Sequence, residues 1–441
     1  MILDEDFSTV DAIDETIAHT QNRLLPIRWS YFIGQQPKIF LTPKLAETFR
    51  ALSDSLTENY CGLAINSRVQ RLEITGWDGP AAPTAEAIWT DGRYPLRQDT
   101  FYRWALVHGT AYLAVADGAV SANPASVMYA HPDPDDWSAV AWAGKCWSDP
   151  DNWYVTLWDD TQVYRYIARG QGRTRQHATI APPGGRDFAL DSSEAHGLGS
   201  VPVVAVNPYG YLGAPMIDQI SPIQDRINKF TANKLVAAEF GAFRQRVFFT
   251  RQELTPEAIR QQPDTAIVLD PGDNDARASV QEMSATELSN YDNAKNSEVD
   301  ALFTIASLPR HMRVNPGSAP SGEAIKADEG PFVEAITDHS REFGQAFVQA
   351  FAMLGIDAEP MWRDPVVNDD LANAEIVAKL VSAGIPWQVA AQKYLGLKPD
   401  EIAEATMIAG NQQIGAASQL AQQTAALLSN PTLDVPAEDE Q

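Results

Sequence analysis

Apolar residues alternate with polar ones in the first half of the chain and recur at helical spacing in the second. Up to about residue 215, the runs 153–158 and 161–166 have the period of two that is typical of strands, and Asp159-Asp160 between them predicts a tight turn. The Gly-, Pro- and Arg-rich residues 169–200 predict a long surface loop. This half is therefore predicted to mix helices with strands.

From about residue 216 onward the pattern predicts helices. Ser221 and Pro222 are typical of a helix start, and the helix predicted over 216–242 carries an apolar stripe. The stripe consists of Ile220, Ile223, Ile227 and Phe230. A second helix is predicted over 284–307, and short apolar runs in 243–283 predict a small α/β insert between the two helices.

A third long helix is predicted over 321–355. Its apolar face is formed by Phe332, Ile336, Phe343, Phe347 and Phe351. Gly330 and Pro331 lie inside this helix. Proline removes one backbone hydrogen bond and clashes with the preceding turn, so we expect a kink there.

The remaining segments are shorter or of biased composition. A Pro-, Gly- and Asn-rich loop at 308–320 precedes the third helix, and an extended piece at 356–368 follows it. Residues 369–430 are rich in Ala and Gln and predict further helices, whereas the acidic residues 431–441 are expected to be disordered. The whole pattern predicts an α+β fold.

The formal net charge is −25, from 33 Lys and Arg against 58 Asp and Glu. Tight nucleic-acid binding of the ordinary kind needs clustered cations, so this composition argues against it. The two cysteines, Cys61 and Cys146, supply neither a disulfide framework nor a Cys-based zinc site. The charge-free stretch 199–217 contains three prolines, so we expect no membrane-spanning helix there and no membrane association.

Residue patterns that would carry catalysis are absent from the sequence. The best metal candidate is His131-Pro-Asp133-Pro-Asp135-Asp136, where the prolines favour a solvated acidic turn instead. Asp159 and Asp160 are adjacent in a turn and should point apart, unlike a glycosidase pair. We therefore expect no metal and no cofactor.

The eleven tryptophans keep a second interpretation open, a monomeric hydrolase-like or carbohydrate-binding enzyme with a helical C-terminal domain.

Five stretches between residues 59 and 345 resemble, in order, motifs of the siphophage-type portal proteins of tailed bacteriophages. Ile223-Gln224-Asp225-Arg226-Ile227-Asn228-Lys229 is similar to the family's Gln-Asp-x-x-Asn-Lys, and Ser321-Gly322-Glu323-Ala324-Ile325-Lys326 to its Ser-Gly-Glu-Ala-Leu-Lys. The other three are Asn59-Tyr60-Cys61 with 71–77, Ala105–Val115 and His196–Asn207. Each is short, but their order and spacing together are specific.

The resemblance implies a portal fold with an α/β wing, a two-helix stem, a small α/β clip, a long kinked helix and a helical crown. In this fold the wing would comprise 1–215 with a C-terminal strand in 356–368. The domains between and after them would be stem helices at 216–242 and 284–307, the clip at 243–283, the tunnel loop at 308–320, the kinked helix at 321–355 and the crown at 369–430.

The resemblance also implies a structural role without catalysis. The chain would form a ring of twelve copies at one capsid vertex and conduct double-stranded DNA non-specifically. Expected partners are the terminase large subunit, the major capsid and scaffolding proteins and the head-tail adaptor. The expected location is the virion, with assembly in the host cytoplasm.

Two sites follow from this assignment. The stem stripe is expected to pack partly against neighbouring subunits. The tunnel loop is expected to turn Arg310, His311, Arg313 and Asn315 toward DNA, with weak, salt-screened contacts to phosphates. The alternative is a solvated connector whose arginines pair with Asp328 or Glu329.

Overall fold

The computed structural model describes residues 9–37, 57–170, 182–211, 213–242, 246–249, 279–282, 287–313, 322–366, 370–395, 397 and 401–408. The helices in these ranges are α1 Thr9–Thr20, α2 Leu24–Phe32, α3 Tyr60–Val69, α4 Ala82–Asp91, α5 Tyr94–His108, α6 Met216–Ala242, α7 Ser289–Ile305, α8 Gly322–Met353, α9 Asp370–Ser382, α10 Trp387–Leu395 and α11 401–408. The strands are β1 Ile74–Asp78, β2 Ala111–Ala116, β3 Ala119–Pro124, β4 Met128–Pro132, β5 Val140–Ser148, β6 Asn152–Trp158, β7 Gln162–Arg169, β8 Ala189–Ala195, β9 Val203–Val206, β10 Arg246–Phe249, β11 Ser279–Glu282 and β12 Glu359–Trp362. The mixture of helices and strands confirms the α+β class. The chain divides into two compact units, Met1–Trp362 and Arg363–Gln441.

In the first unit, α1 packs on an antiparallel sheet of five strands, ordered β4-β5-β6-β7-β8. Strand β6 alternates buried with half-buried residues, and its buried Trp153 shares a core cluster with Ile13 of α1. The close approach of helix and sheet requires a glycine, because a Cβ on Gly144 would lie 2.0 Å from Oγ1 of Thr16. The predicted pair of strands around Asp159 is confirmed as β6 and β7.

Strand β8 corrects the prediction of a loop over 169–200. Ala189–Ala195 pairs antiparallel with β7 at the edge of the five-stranded sheet, while 171–181 lie outside the described residues. All seven residues of β8 are exposed. An edge strand with no buried face has no apolar alternation, so the spacing of apolar residues does not reveal it.

A larger core joins α3, α5 and α8 to a three-stranded sheet, ordered β3-β2-β9, and to the β1–β12 pair. The predicted apolar face of α8 is fully buried there: Phe332, Ile336, Phe343, Phe347 and Phe351. Its rings contact aromatic residues of the N-terminal half, with the ring centroid of Phe351 4.6 Å from that of Trp77 and Phe347 5.3 Å from Trp89. Strand β12 pairs with β1, so Glu359–Trp362, within the extended piece predicted at 356–368, returns to the N-terminal half.

The helices after residue 215 follow the predicted pattern closely. Helix α6 spans the predicted 216–242, and α7 lies within 284–307. The helix start expected at Ser221 and Pro222 is corrected, because α6 already begins at Met216 and Pro222 lies inside it. Helix α8 continues through Gly330 and Pro331 without a break, and the kink there stays a prediction. Between α6 and α7, β10 and β11 pair antiparallel, whereas the rest of 243–283 lies outside the described residues.

In the second unit, α9 and α10 pack against each other and bury Ala390 and Ala391. Residues 409–441, which include the end of the predicted crown and the acidic tail, lie outside the described residues. Of the helices described, none is both long enough and apolar enough to cross a membrane.

Candidate functional site at the root of the 308–320 loop

Helices α6 and α7 pack against each other along the apolar stripe of α6. Three of the four predicted stripe residues are buried inside the chain itself: Ile220, Ile223 and Ile227. They share a core cluster with Leu302 and Phe303 of α7, and Phe230 is half-buried. The three isoleucines therefore belong to the core of the single chain, and the contact of the stripe with neighbouring subunits stays a prediction.

Two buried amides of α6 hold the start of α3. Gln224 Oε1 accepts a hydrogen bond from the backbone N–H of Tyr60 (2.8 Å), and its Nε2 donates to the carbonyl of Glu58 (2.8 Å). Asn228 Oδ1 accepts from the Glu58 N–H (3.1 Å). Backbone groups before a helix need such partners when they are buried. The Gln-Asp-x-x-Asn motif therefore links α6 to the N-terminal half of the chain.

The residues after α7 form the root of the 308–320 loop. Arg310–Met312 is a short 3-10 turn, and Arg313 follows it in extended conformation. The Arg313 guanidinium forms an ion pair with Asp300 and donates to Asn296 Oδ1 (2.7 Å), both on α7. The partner of Arg313 is thus Asp300, whereas the connector alternative assigns it Asp328 or Glu329.

The turn is also bound to α8. His311 Nε2 lies 3.4 Å from a carboxylate oxygen of Glu329, and the Arg310 backbone N–H donates to Asp328. The side chain of Arg310 is exposed and pairs with no carboxylate among the described residues. Residues 314–320, including Asn315, lie outside the described residues.

Two arginines near the end of α3 lie over the ring of Phe332 on α8. The guanidinium carbons of Arg68 and Arg71 lie 5.2 and 5.0 Å from the ring centroid, within cation–π range. Arg68 is fully buried and donates to the carbonyl of Ala306 at the end of α7. Arg71 forms a mostly buried ion pair with Glu329 (2.8 Å).

Burial lowers the pKa of Arg68 to about 10. The guanidinium nevertheless stays charged near neutral pH, and it supplies a donor to a carbonyl that a terminating helix would otherwise leave without one. The sequence analysis missed Arg68, and it named Glu329 only as a possible partner of the loop arginines. The available signal was an arginine on the apolar side of α3, beside Ala64 and Ile65.

Together these contacts form what we call the loop-root network: Arg68, Arg71, Asp300, His311, Arg313, Asp328, Glu329 and Phe332. It joins α3, the end of α7, the 310–313 turn and the first turns of α8. The network holds the loop root from two sides and leaves Arg310 exposed. The exposed Arg310 beside the network carries a positive charge that an anion in solution could reach. Among the side chains of the network, no nucleophile lies next to a base.

The other candidate residues have structural partners. His131 Nδ1 lies 3.0 Å from a Glu15 carboxylate oxygen, and its ring stacks on Trp142. Asp159 Oδ1 accepts from the backbone N–H groups of Thr161 (2.8 Å) and Gln162 (2.6 Å), so it caps the β6–β7 turn. In the described part of the chain, no three His, Cys, Asp or Glu side chains are grouped as a metal site requires.

The described residues thus combine a mixed N-terminal half, a pair of packed helices and a loop root that precedes a long buried helix. The chain belongs to the phage portal protein family of the SPP1 Gp6-like type, whose family model matches residues 76–413.

Two curated relatives are named portal protein. The portal protein of Mycobacterium phage D29 is 23% identical in an alignment of 378 positions, and the match covers 74% of this chain and 72% of that protein. The portal protein of Mycobacterium phage L5 is 26% identical in an alignment of 216 positions, and the match covers 43% of each chain.

Among solved structures, a chain of a native gene transfer agent virion aligns with a TM-score of 0.45 at 13% identity, over 85% of this chain and 99% of that one. A chain of the native gene transfer agent neck, computed with C12 symmetry, has a TM-score of 0.45 at 12% identity, with the same coverage.

Proposed function

We propose that this chain forms a closed ring of twelve copies at one vertex of a phage capsid, and that double-stranded DNA passes through the ring during packaging and ejection. The observation that carries the proposal is the family match over residues 76–413. In this assignment, 1–215 and 356–368 form the wing and 369–430 the crown. Helices α6 and α7 form the stem, and 243–283 the clip.

Within the ring, we assign the 308–320 loop to the tunnel wall, with Arg310, His311, Arg313 and Asn315 toward the DNA. The loop-root network supports different roles for these residues. Arg313 and His311 are bound to α7 and α8 and would fix the root, whereas the exposed Arg310 is available for a phosphate. A single exposed cation gives a weak, salt-screened contact, which steadies DNA without stopping it.

The net charge of the chain favours the passage of DNA over its tight binding. Twelve copies would carry about −300 in total, which repels a polyanion from most of the wall. DNA would therefore be held away from the protein except at the loops.

The partners follow from the same assignment. The clip would bind the terminase large subunit during packaging and the head-tail adaptor afterwards. The major capsid and scaffolding proteins would contact the outside of the ring, in the host cytoplasm during assembly and then in the virion. No cofactor is part of this function.

Particles assembled with Arg310→Gln test the DNA contact. We expect normal particle yield with less DNA retained, and the deficit should be largest at low salt, where the lost contact is strongest. Arg169→Gln is the matched control, because it removes one charge from an exposed arginine on β7. Wild-type DNA retention by Arg310→Gln at every salt concentration would exclude this role for the arginine.

A further inference from the structure

The start of α5 carries an exposed apolar residue between two arginines. Leu96 is 84% exposed, more than any other large hydrophobic residue in the described part of the chain, and Arg93 and Arg97 beside it are also exposed. Neither arginine pairs with a carboxylate among the described residues. We call residues 93–97 the knob.

The knob is rigidly supported. Arg93 adopts a left-handed backbone conformation, with φ 54°, which turns the chain sharply between α4 and α5. Tyr94 and Gln98, on either side of Leu96, are buried, and Gln98 accepts a hydrogen bond from the backbone N–H of Ile74 (2.9 Å). Because the backbone is held in place, only the Leu96 side chain has to be ordered on binding, which favours an anchor role.

Elsewhere in the same unit lies a groove of complementary chemistry. Trp137 and Tyr211 meet edge to face, with centroids 4.7 Å apart, and are 54% and 45% exposed. They flank a cavity of about 340 Å³ that is also lined by Ala346 and Glu342 of α8. We call this the Trp137 groove.

The charge of the groove is opposite to that of the knob. Its lining residues include no Lys or Arg, and the loop that carries Trp137 presents the exposed Asp135 and Asp136. Hydrogen bonds from the backbone N–H and hydroxyl of Ser138 lower the pKa of Asp136, so that it stays ionised. An aromatic floor with an acidic rim suits an apolar anchor flanked by cations.

We propose that the knob of one copy of this chain docks in the Trp137 groove of a second copy. The two patches are different surfaces of one molecule, so the contact is heterologous, and in the ring of the proposed function each copy would use both patches. The inference rests on the ring of the proposed function and adds the surfaces that join its neighbours. It also gives a use to the acidic 131–136 turn.

Leu96→Asp tests the apolar anchor. Because the side chain is exposed in the single chain, thermal unfolding of the subunit should not change. Sedimentation velocity over a concentration series should show ring association weakened about tenfold or more. Leu190→Asp is the control, since Leu190 is 55% exposed on β8, at the sheet edge opposite β4, and its rings should match wild type.

Charge reversal tests the pairing of the two patches. Arg93→Glu with Arg97→Glu gives a chain whose knob and groove are both acidic, and Asp135→Arg with Glu342→Arg gives one whose knob and groove are both basic. Each variant alone should fail to form rings, because its contacts repel. An equal mixture should restore them, since alternating copies put every acidic knob against a basic groove and every basic knob against an acidic one.

The outcomes separate this inference from the proposed function. A wild-type chain that never forms rings contradicts both. Wild-type rings with normal assembly of Leu96→Asp, or reversed variants that assemble alone or stay apart when mixed, overturn the knob and groove contact and leave the ring standing. The groove would then be free for a different basic partner.

Discussion

Arg71 and Glu329 form the ionic centre of the loop-root network, with side chains only 13% and 9% exposed. Removing one partner of a mostly buried pair leaves a charge without its counterion, and such losses amount to about 3 kcal/mol. His311 also contacts Glu329 and would compensate only in part, because its distance is longer.

We predict that Arg71→Met lowers the free energy of unfolding by about 2–3 kcal/mol, and that adding Glu329→Gln restores a large part of it. Urea denaturation of the wild type, both single variants and the double variant gives the coupling energy. Additive losses in the double variant would show that the two side chains do not depend on each other.

Arg310 and Arg313 are alike in sequence but different in their contacts. Arg313 is bound to Asp300 and Asn296, whereas the Arg310 side chain is exposed. We predict that Arg313→Gln destabilises the chain by about 1 kcal/mol or more, and that Arg310→Gln changes stability by less than about 0.5 kcal/mol. Denaturant midpoints under identical conditions compare the two; equal values would contradict the loop-root network.

His339 on α8 is buried beside Tyr209, and burial lowers its pKa to about 4, with a further contribution from the charge of Arg68. An unfolded histidine has a pKa of about 6.5. Between these values the unfolded chain binds more protons than the folded one. Stability is therefore present above about pH 6.5 and is lost as the pH falls toward 4.

We predict that this residue alone removes roughly 2–3 kcal/mol between about pH 7 and pH 4.5. His339→Gln should flatten the pH dependence of the unfolding free energy over that window, relative to wild type. His108, whose pKa burial also lowers to about 4, provides a second site of the same kind. An unchanged slope in His339→Gln would mean that His339 is not buried as a neutral group.

At the scale of elements, the spacing of apolar residues predicted the helices whose positions depend on their own sequence. The apolar spacing placed α6 correctly, and five phenylalanine and isoleucine positions gave the buried face of α8. The start signal at Ser221 and Pro222 was wrong, because α6 begins at Met216 and Pro222 lies inside it. Strand β8 was missed because all of its residues are exposed. Its position depends on hydrogen bonds to β7, which no spacing of apolar residues encodes.

The loop-root network was missed for a related reason. Arg71 and Glu329 are 258 positions apart, and only the fold of the chain brings them together. The motif at 223–229 was recognised from resemblance, but its physical role, two amides holding the start of α3, required the fold.

The packing of α6 against α7 leads to a prediction about the stability of the subunit. Ile227 is fully buried against α7, so Ile227→Asp should cost more than about 4 kcal/mol and abolish the fold of the subunit, not only its assembly. Leu235→Asp, at a 40% exposed position of the same helix, should cost less than about 1 kcal/mol. Circular dichroism and denaturation of both variants test this. A folded Ile227→Asp chain that merely fails to assemble would contradict the burial.

At the scale of the whole molecule, the order of five short motifs was enough to indicate the family, which the match over residues 76–413 confirms. Composition contributed the acidic character, and with it the expectation that most of a tunnel wall would repel DNA. The contacts between copies depend on which surfaces remain exposed after folding. Only the fold could show that the stem isoleucines are covered and that Leu96 and Trp137 are not.

The central claim is that this chain works as a closed ring, and the mass of the purified full-length protein tests it most directly. Sedimentation equilibrium should give about 580 kDa, twelve times the 48.3 kDa of one chain, and electron microscopy of the same fraction should show rings with a central hole. A monomer or dimer at every protein concentration, as a hydrolase-like or carbohydrate-binding enzyme would give, would contradict the account.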